Sequence, residues 1–325
     1  MTSRPGNSHW EPPFEERRFP NPPPNLFVSL RSPQAGSGHA GRNCCLVTGL
    51  RTPQKQQTFW EGAWGAPFSK RVAPTAVFLV TGWAHAAAVM EPLAARLGGV
   101  TACWAPAGLL AEAEQLQGEM VPAAGGPLSP YAAALAARLR QQPGPVVLAG
   151  WSLGGLIVLE TALAVPECVA GLVLLAATAR FCAAEDYPQG MPAANLRALA
   201  AGVARAPEAA LRGFFSLAAR PGNVPEEVLA GKVAAALAQG TAALRHGLDH
   251  LRTCDLRSRL AGLAVPVHII HGRADAVIPA AAADYLAQAI PGARLSWLEG
   301  AGHALPETHA GEIAGVIAGP FTRPQ

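Results

Sequence analysis

No stretch of the sequence stays apolar for the ~20 residues a helix needs to cross a bilayer. The N-terminus also lacks the charged-then-apolar pattern of an export signal. The chain is therefore expected to be soluble, cytoplasmic and without a membrane partner. Cysteine is scarce, with six in 325 residues. Cys44, Cys45, Cys103, Cys168, Cys182 and Cys254 show neither C-x-x-C pairs nor metal-ligand spacing. Several sit in apolar stretches, where cysteine behaves as a small core residue. Neither a disulfide framework nor a metal or other cofactor is expected. Aspartate is scarcer still, with five in the chain, which narrows the search for an acidic catalytic partner. No internal repeat is visible.

The net charge of +3 conceals a division. Residues 1–72 hold nine Lys/Arg against four Asp/Glu, and the remainder holds sixteen against eighteen. The later part is close to neutral and offers no basic face for nucleic acid. The first part clusters prolines at Pro20 and Pro22-Pro23-Pro24 and sustains no period of 2 or 3.6. Such a composition buries too little to offset the entropy of ordering, so most of 1–72 is expected to be disordered. Residues 58–68, rich in aromatics, are read as one or two strands at a sheet edge. A second reading takes the whole segment as sequence ahead of the true start.

Half of the residues are hydrophobic, and from residue 75 the pattern changes. Short apolar runs at 76–80, 99–104, 145–149, 169–176, 265–271 and 293–298 read as buried strands. Helical stretches at 87–97, 130–141, 156–163, 280–290 and 307–318 alternate with them, and Ala105-Pro106-Ala107-Gly108 reads as an exit loop. Strands alternating with helices predict an α/β, doubly wound and mostly parallel sheet. Between about 179 and 257 the strand signal vanishes, leaving Ala- and Leu-rich helix broken by prolines. The expected organisation is a core of 73–178 and 258–320 with a helical lid of 179–257.

The pattern centres on Gly150-Trp151-Ser152-Leu153-Gly154. An apolar strand precedes it and a helix follows, which is the context a G-x-S-x-G nucleophile elbow requires. The glycines permit the sharp turn that lifts the serine hydroxyl clear of the sheet. A serine needs a histidine base, and that base needs a carboxylate to fix its tautomer. Asp275 follows the 265–271 strand and His303 follows the 293–298 strand, so both fall at the edge where Ser152 stands. Asp284 lies within a helix and Asp255 at the lid's end, where a solvated role fits better. The oxyanion would be held by the backbone N–H of Leu153 and, from the loop after 76–80, that of Trp83. Trp83 and Trp151 are also expected to line the substrate pocket. His85 is an additional pocket candidate, although a lone loop histidine is usually a polar surface group, and His268 and His271 read as residues satisfying core hydrogen bonds.

Several segments resemble the pimeloyl-[acyl-carrier protein] methyl ester esterases of biotin synthesis, which have the alpha/beta-hydrolase fold. They are the elbow Gly150-Trp151-Ser152-Leu153-Gly154-Gly155, the Gly82-Trp83 loop and Phe181-Cys182-Ala183-Ala184-Glu185-Asp186-Tyr187-Pro188. Phe214-Phe215-Ser216-Leu217-Ala218, Gly247-Leu248-Asp249-His250-Leu251 and Asp255-Leu256-Arg257 are similar too. The likeness spans about residues 75 to 315. It departs from the family pattern at Thr81, where the family usually has His, and at Trp104-Ala105-Pro106-Ala107-Gly108-Leu109.

The resemblance implies hydrolysis of the methyl ester of pimeloyl-carrier protein. Ser152 would be nucleophile, His303 base and Asp275 its orienter. Trp83, Leu153 and the segment Phe214, Phe215, Ser216, Leu217 and Ala218 would hold the acyl chain. An acidic acyl-carrier protein would dock on Arg197, Arg205, Arg212 and Arg220, and the enzyme is expected to be a monomer. A thioesterase or acyltransferase on the same residues, and a non-catalytic ligand-binding protein of this fold, stay open as alternatives.

Overall fold

The structure, a computed structural model, describes residues 76–97, 101–116 and 127–318. The readings of 1–72 as disordered and of 58–68 as edge strands lie outside the described residues. Six strands form one sheet: β1 (Val77–Val80), β2 (Thr101–Trp104), β3 (Val146–Trp151), β4 (Val169–Leu175), β5 (Val267–Gly272) and β6 (Arg294–Leu298). Their order is β2-β1-β3-β4-β5-β6, and every neighbouring pair runs parallel.

Parallel neighbours need crossovers, and helices supply them. Helix α1 (Glu91–Leu97) joins β1 to β2, while α2 (Pro106–Gln115) and α3 (Pro130–Arg140) lead to β3. Helix α4 (Leu153–Ala164) joins β3 to β4. Four helices stand between β4 and β5: α5 (Ala193–Arg205), α6 (Pro207–Ala218), α7 (Glu226–Leu237) and α8 (Thr241–Thr253). Helix α9 (Ala280–Ala289) precedes β6, and α10 (Leu305–Thr308) and α11 (Ala310–Ala318) follow it.

Side chains alternate across a strand, so each strand feeds two cores. Phe78, Val80, Leu148, Leu172 and Leu174 pack with α3, α4, α8 and α9. Val77, Leu79, Val147, Ala149, Val173 and Leu175 pack with α1 and α11 on the other face. Both faces being covered, the strands read as unbroken apolar runs rather than alternating ones.

Two local readings change. The exit loop at 105–108 is instead the start of α2, because Pro106 occupies its first turn, where a missing N–H costs nothing. Strand β5 begins at Val267, after Pro266, a residue that cannot donate to a ladder.

The chain leaves β1 toward one edge of the sheet and returns from β2 to β3 on the other side of β1. That reversal opens a crevice beyond the carboxyl ends of β1 and β3. The helical insertion is closed at its base by a backbone bond from Leu256 N–H to the Ala179 carbonyl, 2.9 Å. Arg180 and Asp255 pair at 2.7 Å beside it, and Arg257 reaches both Asp255 and Asp186 at 2.8 and 2.9 Å. Such exposed pairs contribute little singly, and their use here is to fix the two ends of the insertion side by side.

Candidate active site

Ser152 sits between β3 and α4 with φ 57° and ψ −117°, a backbone conformation that L-residues adopt at a cost. Close packing enforces it. A Cβ at Gly154 would strike the backbone carbonyl of Val80 and lie 2.6 Å from that of Thr81. The first turn of α4 therefore lies flush against the end of β1. Leu153 opens α4, so its N–H belongs to the unpaired set at a helix start and lies beside the serine.

The loop after β1 meets the same point. A Cβ at Gly82 would be 3.2 Å from the Ser152 Cβ. Trp83, next in the chain, is buried. Its indole N–H donates to the Leu244 carbonyl of α8 at 2.8 Å, and its ring meets Phe214 edge-on at 4.8 Å.

Asp275 and His303 come from the loops after β5 and β6. The His303 Nδ1–H donates to Asp275 Oδ2 at 2.8 Å. Asp275 Oδ1 accepts from the backbone N–H groups of Val277 and Ile278 at 2.7 and 2.8 Å. Both side chains are buried. Burial alone would raise the Asp275 pKa. The imidazoles of His303 and His271 and the Ile278 N–H outweigh it and hold the carboxyl below its usual value. With Nδ1 donating, a neutral His303 carries its lone pair on Nε2, which is buried and has no partner among the described residues. Trp151, beside the serine, donates its indole N–H to the His303 carbonyl at 2.8 Å and so ties the two loops together.

A serine at a strained strand-to-helix turn, a histidine whose Nδ1 is held by a carboxylate and an N–H at a helix start are the group types that acyl transfer through a serine uses. Among the described residues, no group of three or more His, Cys, Asp or Glu side chains is arranged to hold a metal ion. Nor is any described helix long and apolar enough to cross a membrane.

The Alpha/beta hydrolase family model matches residues 76–316. A pimeloyl-[acyl-carrier protein] methyl ester esterase of Aromatoleum aromaticum is 36% identical over 222 residues, covering 65% of this chain and 87% of that protein. The chain belongs to the alpha/beta hydrolase family, among its pimeloyl-[acyl-carrier protein] methyl ester esterases. The esterase of the same name from Nitrosomonas europaea is 38% identical over 166 residues, half of this chain and 66% of that protein. Among solved structures, an esterase from Exiguobacterium antarcticum superposes with TM-score 0.64 at 22% identity, covering 77% of this chain and 92% of that one. A bromoperoxidase from Bacillus anthracis gives 0.62 at 21%, covering 76% and 91%. At such identities the likeness is one of fold.

Within this alpha/beta hydrolase the remaining expected residues fall unevenly. Of the α6 segment, Phe214, Phe215 and Ala218 turn inward, whereas Ser216 and Leu217 are exposed. A helix turns 100° per residue, so five consecutive side chains cannot share one face, and the substrate role expected for Ser216 and Leu217 is corrected accordingly. Trp151 is fully buried and holds the His303 loop, in place of the pocket-lining position expected for it.

The four arginines differ in their local settings. Arg197 lines a groove of about 510 Å³ between α5 and α8 together with Arg245 and Arg252, two residues the sequence reading missed. Arg205 ends α5, and Arg212 is paired with Glu226 at 2.7 Å and Glu208 at 3.7 Å. Arg220 lies in the turn after α6, its carbonyl against Gly302. His268 and His271 are buried, with Nε2 of each on Ser296 Oγ at 2.8 Å and on the Ile278 carbonyl at 3.0 Å. His85, a pocket candidate weighed against a surface role, is buried.

Proposed function

We propose that this esterase is a serine carboxylesterase hydrolysing the methyl ester of pimeloyl-[acyl-carrier protein], the reaction named for its relatives. The carrying observation is the 2.8 Å bond from His303 to Asp275 on the two loops beside the Ser152 elbow. Ser152 Oγ attacks the ester carbonyl carbon and passes its proton to His303 Nε2. The tetrahedral oxyanion rests on the N–H groups of Leu153 and Trp83. Collapse breaks the bond to the methoxy group, which leaves as methanol with the proton from His303. Water then attacks the acyl-enzyme and gives a proton to His303; collapse breaks the acyl–Ser152 bond, His303 returns the proton to Ser152 Oγ, and the carboxylic acid leaves.

The insertion of α5–α8 is the lid of this site. Phe214 and Phe215 supply apolar wall for the acyl chain, and the arginine-lined groove of Arg197, Arg245 and Arg252 suits an acidic carrier protein. The enzyme works as a monomer in the cytoplasm, where its thiols stay reduced.

Ser152→Ala should lower hydrolysis of the carrier-linked methyl ester by more than about 10³-fold while the thermal midpoint holds within a few degrees. A fluorophosphonate should label the wild type and not the variant. Activity of the variant within about tenfold of wild type would sink the nucleophile assignment. Turnover of acyl thioesters but not methyl esters would overturn the leaving group. Growth of a biotin auxotroph lacking this activity is the corresponding cellular test.

A further inference from the structure

We propose that His85 is a positioning residue for the oxyanion loop: its backbone N–H and its imidazole lock the two peptide planes on either side of Trp83. This rests on the reading of the Trp83 N–H as an oxyanion donor. The Gly82 carbonyl and the Trp83 N–H are opposite ends of one peptide plane. That carbonyl accepts from the His85 N–H at 3.3 Å. The next plane is held by the ring, whose Nδ1 lies 2.8 Å from the Trp83 carbonyl. A carbonyl only accepts, so Nδ1 carries the proton whatever the state of Nε2.

The loop needs this hold. Ala84 sits at φ 62°, a conformation disfavoured for a residue with a Cβ, so the turn would relax if released. The carbonyl of His85 itself accepts from the Thr81 hydroxyl at 3.1 Å, and that of Ala84 from Gln239 at 3.2 Å. Every carbonyl from Gly82 to His85 is thus fixed, and the amides between them are aimed without further reorganisation. The imidazole is itself immobile, wedged against Trp151 at 4.3 Å and Phe215 at 5.1 Å between ring centroids. Burial, the Lys232 ammonium and the nearby His303 hold it neutral, which spares His303 a cationic neighbour when it takes up the serine proton.

The test turns on which nitrogen matters. An asparagine places its amide nitrogen where Nδ1 stands, and a glutamine reaches toward Nε2. His85→Asn should keep kcat on a short soluble ester within about threefold of wild type. His85→Gln and the shape-conserving His85→Phe should each lose about 10- to 100-fold in kcat with KM changed less than about twofold. Affinity for phenylboronic acid, whose serine adduct carries a tetrahedral oxygen in the hole, should weaken by the same factor as kcat. Thermal midpoints are measured for all three, and any two folded variants of unlike type suffice. Equal kcat for Asn and Phe, or a loss confined to KM, would overturn the proposal while leaving a labelled, active Ser152 in place. A wild type that neither labels nor turns over ester would remove the underlying reading, and this proposal with it.

Discussion

At the scale of single residues the site depends on Asp275. Its Oδ1 accepts two backbone N–H groups and its Oδ2 accepts from His303, so the carboxylate both shapes its own loop and fixes the imidazole tautomer. An amide retains the first function and spoils the second, because its N–H₂ would face the His303 Nδ1–H. Asp275→Asn should therefore fold, with near-native circular dichroism, yet lose about 10⁴-fold in kcat at neutral pH. Wild-type-like kcat would show that this pairing does not orient a base. The pair was legible in sequence because each partner directly follows a buried-type strand. The role of Trp151 was not, since the x of G-x-S-x-G carries no rule about which side of the sheet its ring enters. Strand alternation decides it: Val147, Ala149 and Trp151 share the face that α1 and α11 cover.

At the scale of elements, the contact of α8 with the β1 loop is set by one missing side chain. A Cβ at Gly247 would lie 2.7 Å from Trp83 Cδ1 and 3.3 Å from Leu153 Cδ2. Replacing glycine by alanine inside a helix ordinarily stabilises by about 1 kcal/mol. Here overpacking of about 1–3 kcal/mol opposes that gain, against a tryptophan already tethered to Leu244. Gly231 in α7 has nothing within 4 Å of its would-be Cβ. Gly231→Ala should raise the thermal midpoint by about 2–4 °C, and Gly247→Ala should lower it and reduce ester turnover. The same sign for both would mean that α8 does not press on Trp83.

Element existence could be read from sequence wherever apolar period and length agreed, as along β3, β4 and α9. The start of α2 could not. A Pro-Ala-Gly sequence suits a loop as well as a helix start with proline in the first turn, and the packing of Leu109 with the Glu112–Arg138 pair to α3 at 2.9 Å favours helix.

Across the whole molecule, buried histidines set the acid limit of stability. Burial, with help from the Arg294 charge, lowers the His268 pKa from 6.5 to about 4. His271 and His85 shift the same way, also mainly by burial. The unfolded chain takes up protons near pH 6.5 that the fold refuses, so stability is complete above 6.5 and drains away as pH falls toward 4. His268 alone accounts for about 3 kcal/mol of that loss. Urea midpoints should hold between pH 8 and 7 and fall steeply below 6, and less steeply in His268→Gln. A flat profile down to pH 4.5 would refute the assignment.

The proposed docking of a carrier protein also belongs to this scale, because the groove takes its arginines from two helices. Reversing Arg197, Arg245 and Arg252 to Glu should raise KM for a carrier-linked ester about tenfold and leave a short soluble ester unaffected. Equal effects on both substrates would rule out docking there. Sequence spacing offered Arg197, Arg205, Arg212 and Arg220 and did not offer Arg245 or Arg252, because spacing along a chain says nothing about which helices lie side by side.

The indole of Trp151 bears on how the molecule tolerates its own motion. Through it, the residue before Ser152 grips the backbone carbonyl of His303. One indole thus couples the strand end that carries Ser152 to the loop that carries His303, so a shift of either backbone is felt by the other.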